Sequence, residues 1–521
     1  MLCLTLVFAA FAAAVELTVT TRTGTFIGGL NETYPDVRHF KWVPYAQPPV
    51  GNLRWTPPRP LVNDSTVYES TTFGPACSQF VSAVPAVWSL NITGNLIVNY
   101  GESLTAGLVA QNSAEDCLSL AIWTPANATG NSSLPVIIFT TGGGDQTGGI
   151  NIPTQIPANW VHRSQKHIVV TINYRVNIFG YPNARGLNGS TNFAIQDQRA
   201  AVEWVSENIA AFGGDPARLT LWGQSAGAGL TDEYLFAWPS DPIVRASISS
   251  SSLAIGYPTN VDYAGTNFTF VAQAMGCNFT DPAFELQCMR RVPMPRIVNF
   301  VGQYQDNSSL VNTSQRAISF SRQIDNKFVF SQADYVRLYQ ADTLAQIPKM
   351  IGTTAREFSA LLPYPVNNAS AGPSNQLITA LTQAWVCTAY NTSVYRQQDL
   401  LTTYRYEYAA NFTNLADGAS WLGAYHYADL YMFFGTYLIT SPPYPDLEVQ
   451  TSQIMQDLLY NFVANPASLP GNGWPPYLLD SSDSGGQIAR FGANGQALQL
   501  VSGNAIDGAC HLPNYTYTTT P

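Results

Sequence analysis

The stretch FGGDPARLTLWGQSAG, residues 212–227, decides how this chain folds, because it centres one serine, Ser225, in Gly223-Gln224-Ser225-Ala226-Gly227. Residues 219–222 form a short β-prone run ahead of it. The residues after it begin small and continue to Leu230, Tyr234 and Leu235 at helical spacing. A strand that turns sharply into a helix with a serine at the corner is a nucleophile elbow, which holds the hydroxyl exposed for a base that removes its proton. The flanking glycines remove the Cβ clashes that this backbone would otherwise meet. The pentapeptide alone is a weak signal in a chain rich in Gly and Ser, so its setting carries the reading.

Outward from the elbow, residues 136–139, 168–173, 350–351 and 404–408 are further short apolar or β-prone runs. Residues 195–211 carry Ala201, Val202, Val205, Ile209 and Ala210 at helical spacing and end before Gly213-Gly214. Strands alternating with helices predict a mainly parallel sheet covered on both faces, with the nucleophile at the carboxyl end of a central strand. No low-complexity linker, charge block or internal repeat divides the chain, so residues 15–521 read as one large domain with insertions.

A short apolar run from Leu2 to Ala14 reads as a secretory signal, residues 1–14. No later stretch is apolar for long enough to span a bilayer, and the carboxyl-terminal tail has no hydrophobic stretch for a lipid anchor. Fourteen Asn-x-Ser/Thr acceptors, among them Asn31, Asn91, Asn188, Asn312 and Asn514, fit an extracellular glycoprotein. Cys3 leaves with the signal, and the six remaining cysteines suit disulfides in an oxidising compartment. They contain no CxxC, which argues against a zinc site, and nothing calls for a metal or another cofactor. A net charge of −10 excludes nucleic acid as the expected partner.

Where an elbow serine heads an open α/β sheet, the chain order is Ser, then Asp or Glu, then His. Only His426 and His511 lie late enough. Spacing favours His426, in the Gly-led loop GAYHYADL just after 404–408, over His511, which follows Cys510 near the terminus. Fourteen Asp or Glu residues lie between Ser225 and His426, and Glu357 is the best placed, closing IGTTARE at a strand end. It reads equally well as an exposed helix-start glutamate pairing with Arg356. Gly142-Gly143-Gly144 directly follows the run 136–139, where backbone N–H groups can hold a developing oxyanion.

These residues resemble the type-B carboxylesterase and lipase family, which includes cholinesterases and fungal lipases. The likeness runs through VPYAQPPVGNLRW (43–55), EDCLSLAIWTP (115–125), TINYRVNIFGYP (171–182) and DQRAAVEWVSENIAAFGGDP (197–216), and includes GTTAREF and GAYHYADL. It covers nearly the whole mature chain and implies an α/β-hydrolase fold, a large central mostly parallel sheet with loop and helical insertions over the active site. Carried over position by position, it implies Ser225 as nucleophile, His426 as general base and then acid, and Glu357 as the carboxylate that orients His426. It implies an oxyanion hole from the N–H groups of Gly143, Gly144 and Ala226. Ser250 takes the place of a serine that family members set near the acid and histidine, and reads equally as a plain core serine. The implied disulfides are Cys77–Cys117, Cys277–Cys288 and Cys387–Cys510.

The chain departs from the family at two positions: Thr141 stands for the usual histidine before the glycines, and Asp145 for the usual aromatic after them. Backbone donors tolerate Thr141. A carboxylate aimed at the oxyanion would oppose catalysis, so the Asp145 side chain is expected to point away, capping the loop or facing solvent. The opposite expectation has it narrow the acyl pocket. The segment between Cys77 and Cys117 holds Phe80, Val81, Val87, Trp88, Leu90, Leu96, Ile97, Val98, Leu104 and Leu108. It reads as a lipase lid touching a lipid interface or as a packed rim. Gly107 replaces the tryptophan that cholinesterases carry there, which argues against a choline ester. The expected function is secreted serine ester hydrolysis of a small-molecule or lipid ester. A lipase or sterol esterase is the alternative among enzymes, and a catalytically silent binding protein on the same fold the alternative of another class.

Overall fold

The computed structural model describes residues 15–518 except 64, 93–102, 311, 313, 364–369, 417, 479–484 and 514. The signal-like residues, Asn514 and the apolar Leu96, Ile97 and Val98 lie outside that set.

One sheet organises the chain. Its strands are β1 (Gly29–Leu30), β2 (Val37–Pro44), β3 (Ser119–Pro125), β4 (Leu134–Thr140), β5 (Ile168–Ile172) and β6 (Gly214–Gln224). They continue as β7 (Ala246–Ser250), β8 (Lys349–Thr354), β9 (Thr403–Tyr408), β10 (Gln487–Phe491) and β11 (Leu498–Ser502). The spatial order is β11-β10-β9-β8-β7-β6-β4-β5-β3-β2-β1. From β5 to β10 every neighbour is parallel, and antiparallel pairs close both edges. The expected mainly parallel sheet is therefore present, and β6, which delivers Ser225, runs through its middle.

Parallel strands must be apolar on both faces, and the sequence supplies this by alternation. Val136 and Ile138 of β4 pair in register with Leu219 and Leu221 of β6. All four pack with Val202 and Val205 of helix α1 (Phe193–Asn208) and with Leu235 of helix α2 (Ala226–Ala237). Ile137, Phe139 and Trp222 face the other way, against Trp160, Phe434 and Phe462. There the cover comes from helices α4 (Ala428–Phe434) and α5 (Asp446–Ala464). The elbow strand is longer than the expected 219–222. The helix expected at 195–211 ends at Asn208 and tightens into a 3-10 turn, Ile209–Phe212.

The antiparallel β1 and β2 escaped the sequence reading because β2, VRHFKWVP, looks polar. Arg38 is nevertheless buried, its guanidinium donating to the carbonyls of Glu16 and Ala128. The three implied disulfides are formed, with Cys77–Cys117 and Cys277–Cys288 joining residues 40 and 11 positions apart. Cys387–Cys510 ties helix α3 (Asn375–Gln398) to the carboxyl end across 123 residues, a loop closure worth ~5 kcal/mol in the chain-entropy account.

Candidate active site

Ser225 sits between β6 and α2 at φ 54° and ψ −126°, a conformation few non-glycine residues adopt. The turn holds because its neighbours are small. A Cβ on Gly227 would stand 2.2 Å from the Thr140 carbonyl oxygen, and one on Gly223 would stand 2.1 Å from that of Gly227. The Ser225 N–H is anchored to the Ser250 carbonyl at 2.9 Å.

His426 and Glu357, 69 residues apart in sequence, meet at 2.6 Å between Nδ1 and a carboxylate oxygen. Glu357 is fully buried, and its second oxygen accepts the Thr354 N–H at 2.8 Å. Its alternative reading as an exposed partner of Arg356 is therefore overturned: Arg356 donates instead to Asn375 and the Trp421 carbonyl. His511 is exposed and stacks on Tyr390, and among the described residues it has no contact with this pair. The buried carboxylate fixes the Nδ1–H tautomer of His426 and leaves Nε2 as the proton acceptor. Nε2 lies 3.2 Å from the Gln224 amide, and among the described residues no hydrogen bond joins it to the Ser225 hydroxyl.

Ser225 and His426 line a cavity of about 310 Å³ together with Thr141, Gly142, Gly143, Gly144, Gln155, Gln224, Trp88, Leu361 and Tyr427. Apart from His426 the lining carries no ionisable charge at neutral pH. Among the described residues no hydrogen bond engages the N–H groups of Gly143, Gly144 or Ala226, although Ala226 itself is outside the cavity lining. The Gly143 carbonyl accepts the N–H groups of Gln146 and Thr147, which curls the loop. Gln79, from the Cys77–Cys117 segment, exchanges two hydrogen bonds with Gly148. In the same segment Trp88 lines the cavity and packs edge-on to Tyr425 and Tyr427.

The Asp145 side chain points away from the cavity, as expected, but not to the expected place. It neither caps the loop nor faces solvent, and it is absent from the cavity lining. It is wholly buried, 3.1 Å from Arg322, and accepts a hydrogen bond from the Tyr181 hydroxyl. Burial of a carboxylate is tolerable only beside such a cation. Sequence reasoning missed Arg322, because nothing local to Asp145 marks it as buried and so as needing a cation.

Ser250 has a different set of partners from the acid and histidine. Its hydroxyl accepts from the Trp222 indole at 2.9 Å and bonds the Tyr406 hydroxyl at 2.8 Å. Tyr406 donates in turn to Asp429 at 2.7 Å. Burial pushes Asp429 up to about 6, opposed by the Tyr406 hydrogen bond.

Comparison with known proteins identifies the family and its relatives. The family model described as the carboxylesterase family matches residues 15–409. A chlorogenic acid esterase of Aspergillus niger is 37% identical over 513 residues, covering 95% of this chain and 94% of its own. Secreted lipase 5 of Gibberella zeae is 36% identical over 518 residues with the same coverage of both chains. An inactive carboxylesterase-like protein of Byssochlamys spectabilis is 29% identical over 400 residues, covering 74% of this chain and 64% of its own.

Proposed function

Since the chain belongs to the carboxylesterase family, we propose that it is a secreted enzyme that cleaves esters through a Ser225–His426–Glu357 triad and an acyl-enzyme. Carboxylic ester hydrolysis as such follows from its membership and its relatives. Secretion is supported by relatives named as secreted lipases.

The observation that carries the mechanism is the Glu357–His426 contact at the wall of the cavity that Ser225 lines. His426 Nε2 takes the Ser225 proton as the hydroxyl oxygen attacks the ester carbonyl. The N–H groups of Gly143, Gly144 and Ala226 donate hydrogen bonds to the oxyanion. The intermediate collapses and expels the alcohol, which leaves with the proton from His426. Water, deprotonated by the same nitrogen, then attacks the acyl carbon, and the second intermediate breaks its bond to the Ser225 oxygen, which takes that proton back from His426 as the acid leaves. Nε2 leaves the Gln224 amide for Ser225 as substrate enters, a tightening common when free enzymes bind substrate.

An uncharged lining with Trp88, Tyr427, Gln155 and Gln224 fits a neutral ester whose acyl group is short or aromatic. Hydroxycinnamoyl esters head that class, and the name of the Aspergillus relative points the same way. The second reading, a lipase, rests on the exposed Leu90, Leu104 and Leu108 of the Cys77–Cys117 segment and Leu361 at the cavity. Hydrolysis of p-nitrophenyl esters from acetate to stearate, with and without an emulsion, beside a hydroxycinnamoyl ester, separates them. Preference for short or aromatic acyl groups is expected. Interfacial activation on long chains would make the protein a lipase, and undiminished hydrolysis by Ser225→Ala would refute the triad.

A further inference from the structure

Arg322 stands behind the elbow, fully buried, where the glycine loop, helix α2 and the segment around residue 320 converge. One of its terminal nitrogens donates both to Asp145, the residue after Gly144, and to the carbonyl of Ala226, the first residue after the nucleophile. The other donates to Glu233, further along α2, at 3.2 Å. The guanidinium lies 3.7 Å from the ring centroid of Tyr257. The same segment reaches the loop a second time, where the Gln146 side-chain amide donates to the Phe320 carbonyl at 2.7 Å.

The loop needs such a fastening. Gly143, Gly144 and Asp145 all have positive φ (120°, 60° and 65°), and Asp145 carries that strain without being glycine. Its backbone carbonyl is held by the Asn177 N–H at 2.7 Å. Its side chain is held by Tyr181 and Arg322. The guanidinium thus contacts the backbone carbonyl of Ala226 on one side and, on the other, the side chain of Asp145, the residue that follows the glycines carrying the proposed oxyanion donors. One nitrogen of the planar fork makes both contacts while the other reaches Glu233, a spread of donors that the single ammonium nitrogen of lysine does not reproduce.

We propose that Arg322 is a positioning residue that fixes the Gly143–Gly144 loop against the first turn of α2, so that the donors of the two pieces converge on one oxyanion. The proposal rests on the oxyanion-hole reading given above. Arg322 also cancels the charge of Asp145, which would otherwise stand unbalanced near the developing negative charge. Burial raises Glu233 to about 8 against the opposing pull of Arg322, so near neutrality this acid holds its proton and the arginine is left to Asp145.

The test uses Arg322→Met, Arg322→Lys and the double variant Asp145→Asn/Arg322→Met, which removes both charges and keeps the fold accessible if the single variant does not accumulate. Each is assayed for kcat and KM, and for affinity toward a trifluoromethyl ketone. Ser225 adds to that carbonyl, its proton passing to His426, and the resulting oxyanion occupies the hole. The expected result is a fall in kcat on the order of 10- to 100-fold with KM within about threefold, and an equal loss of ketone affinity. The double variant should melt near the parent temperature yet stay slow, and lysine should restore melting better than it restores kcat. Folded variants with parental kcat and ketone affinity would overturn the proposal. A Ser225→Ala protein that still hydrolyses ester would instead refute the reading on which it rests.

Discussion

The two sides of Ser225 are held by opposite electrostatic devices. On the histidine side, Glu357 meets His426 with no arginine or lysine among its described hydrogen-bond and ion-pair partners, and its other oxygen takes a backbone N–H. On the glycine side, Arg322 sits between two acids, Asp145 and Glu233. The difference matches what each side must do. His426 changes charge during the proposed reaction, so its carboxylate must be left free to respond when the imidazolium forms. The glycine loop only has to stay where it is, and a fully buried arginine paired with Asp145 suits that part.

The comparison can be broken most forcefully on the histidine side. Glu357→Gln keeps the shape but withdraws the charge and the tautomer control, and kcat should fall by about 10⁴-fold with little change in melting temperature. A fall no larger than that of Arg322→Met would mean that the two sides do similar work.

Gly229→Ala probes the other side without removing any charged group. Its new Cβ would lie 2.3 Å from an Arg322 terminal nitrogen and 3.1 Å from the Tyr257 ring, so the guanidinium must move. Destabilisation of about 1–3 kcal/mol by denaturant titration is expected. A drop in kcat smaller than that of Arg322→Met should accompany it, and unchanged kcat would show that the arginine tolerates displacement.

Glu233→Gln should have the smallest effect, visible in stability against pH rather than in rate. A carboxyl raised by burial to about 8 binds its proton more tightly in the folded chain than in the unfolded one. Its stabilisation is complete below the unfolded value and is lost as pH rises through about 8. The parent melting temperature should therefore decline from about pH 5 to about pH 8, and the variant should decline less. Asp429 and Glu448, raised to about 6 and about 7 chiefly by burial, keep part of the slope. An identical slope in parent and variant would show that Glu233 is ionised throughout.

Much of the fold was legible because its signals are short-ranged. The alternating apolar residues of β4, the spacing of α1 and the small residues around Ser225 each specify backbone conformation within a few positions. The polar-looking β2 was illegible because its arginine and histidine are buried by partners far away in sequence. The acid stayed ambiguous for the same reason. Glu357 and an ordinary surface glutamate look alike until β8 and the His426 loop are placed side by side, where the strand end meets Tyr425 and the neighbouring Ala424 carbonyl.

The sequence by itself determined the elbow, the glycine loop, the sheet that presents them and the family to which they belong, since these depend on local sterics and on periodicity. Only the tertiary structure decided that Asp145 turns inward to Arg322, 177 residues away. It also decided that Ser250 serves Trp222 and Tyr406, and that Gln224 faces His426. Those are choices of partner for buried polar groups. A buried charge takes whatever complementary group the packed chain brings within a few ångströms, and no local pattern encodes which one that is.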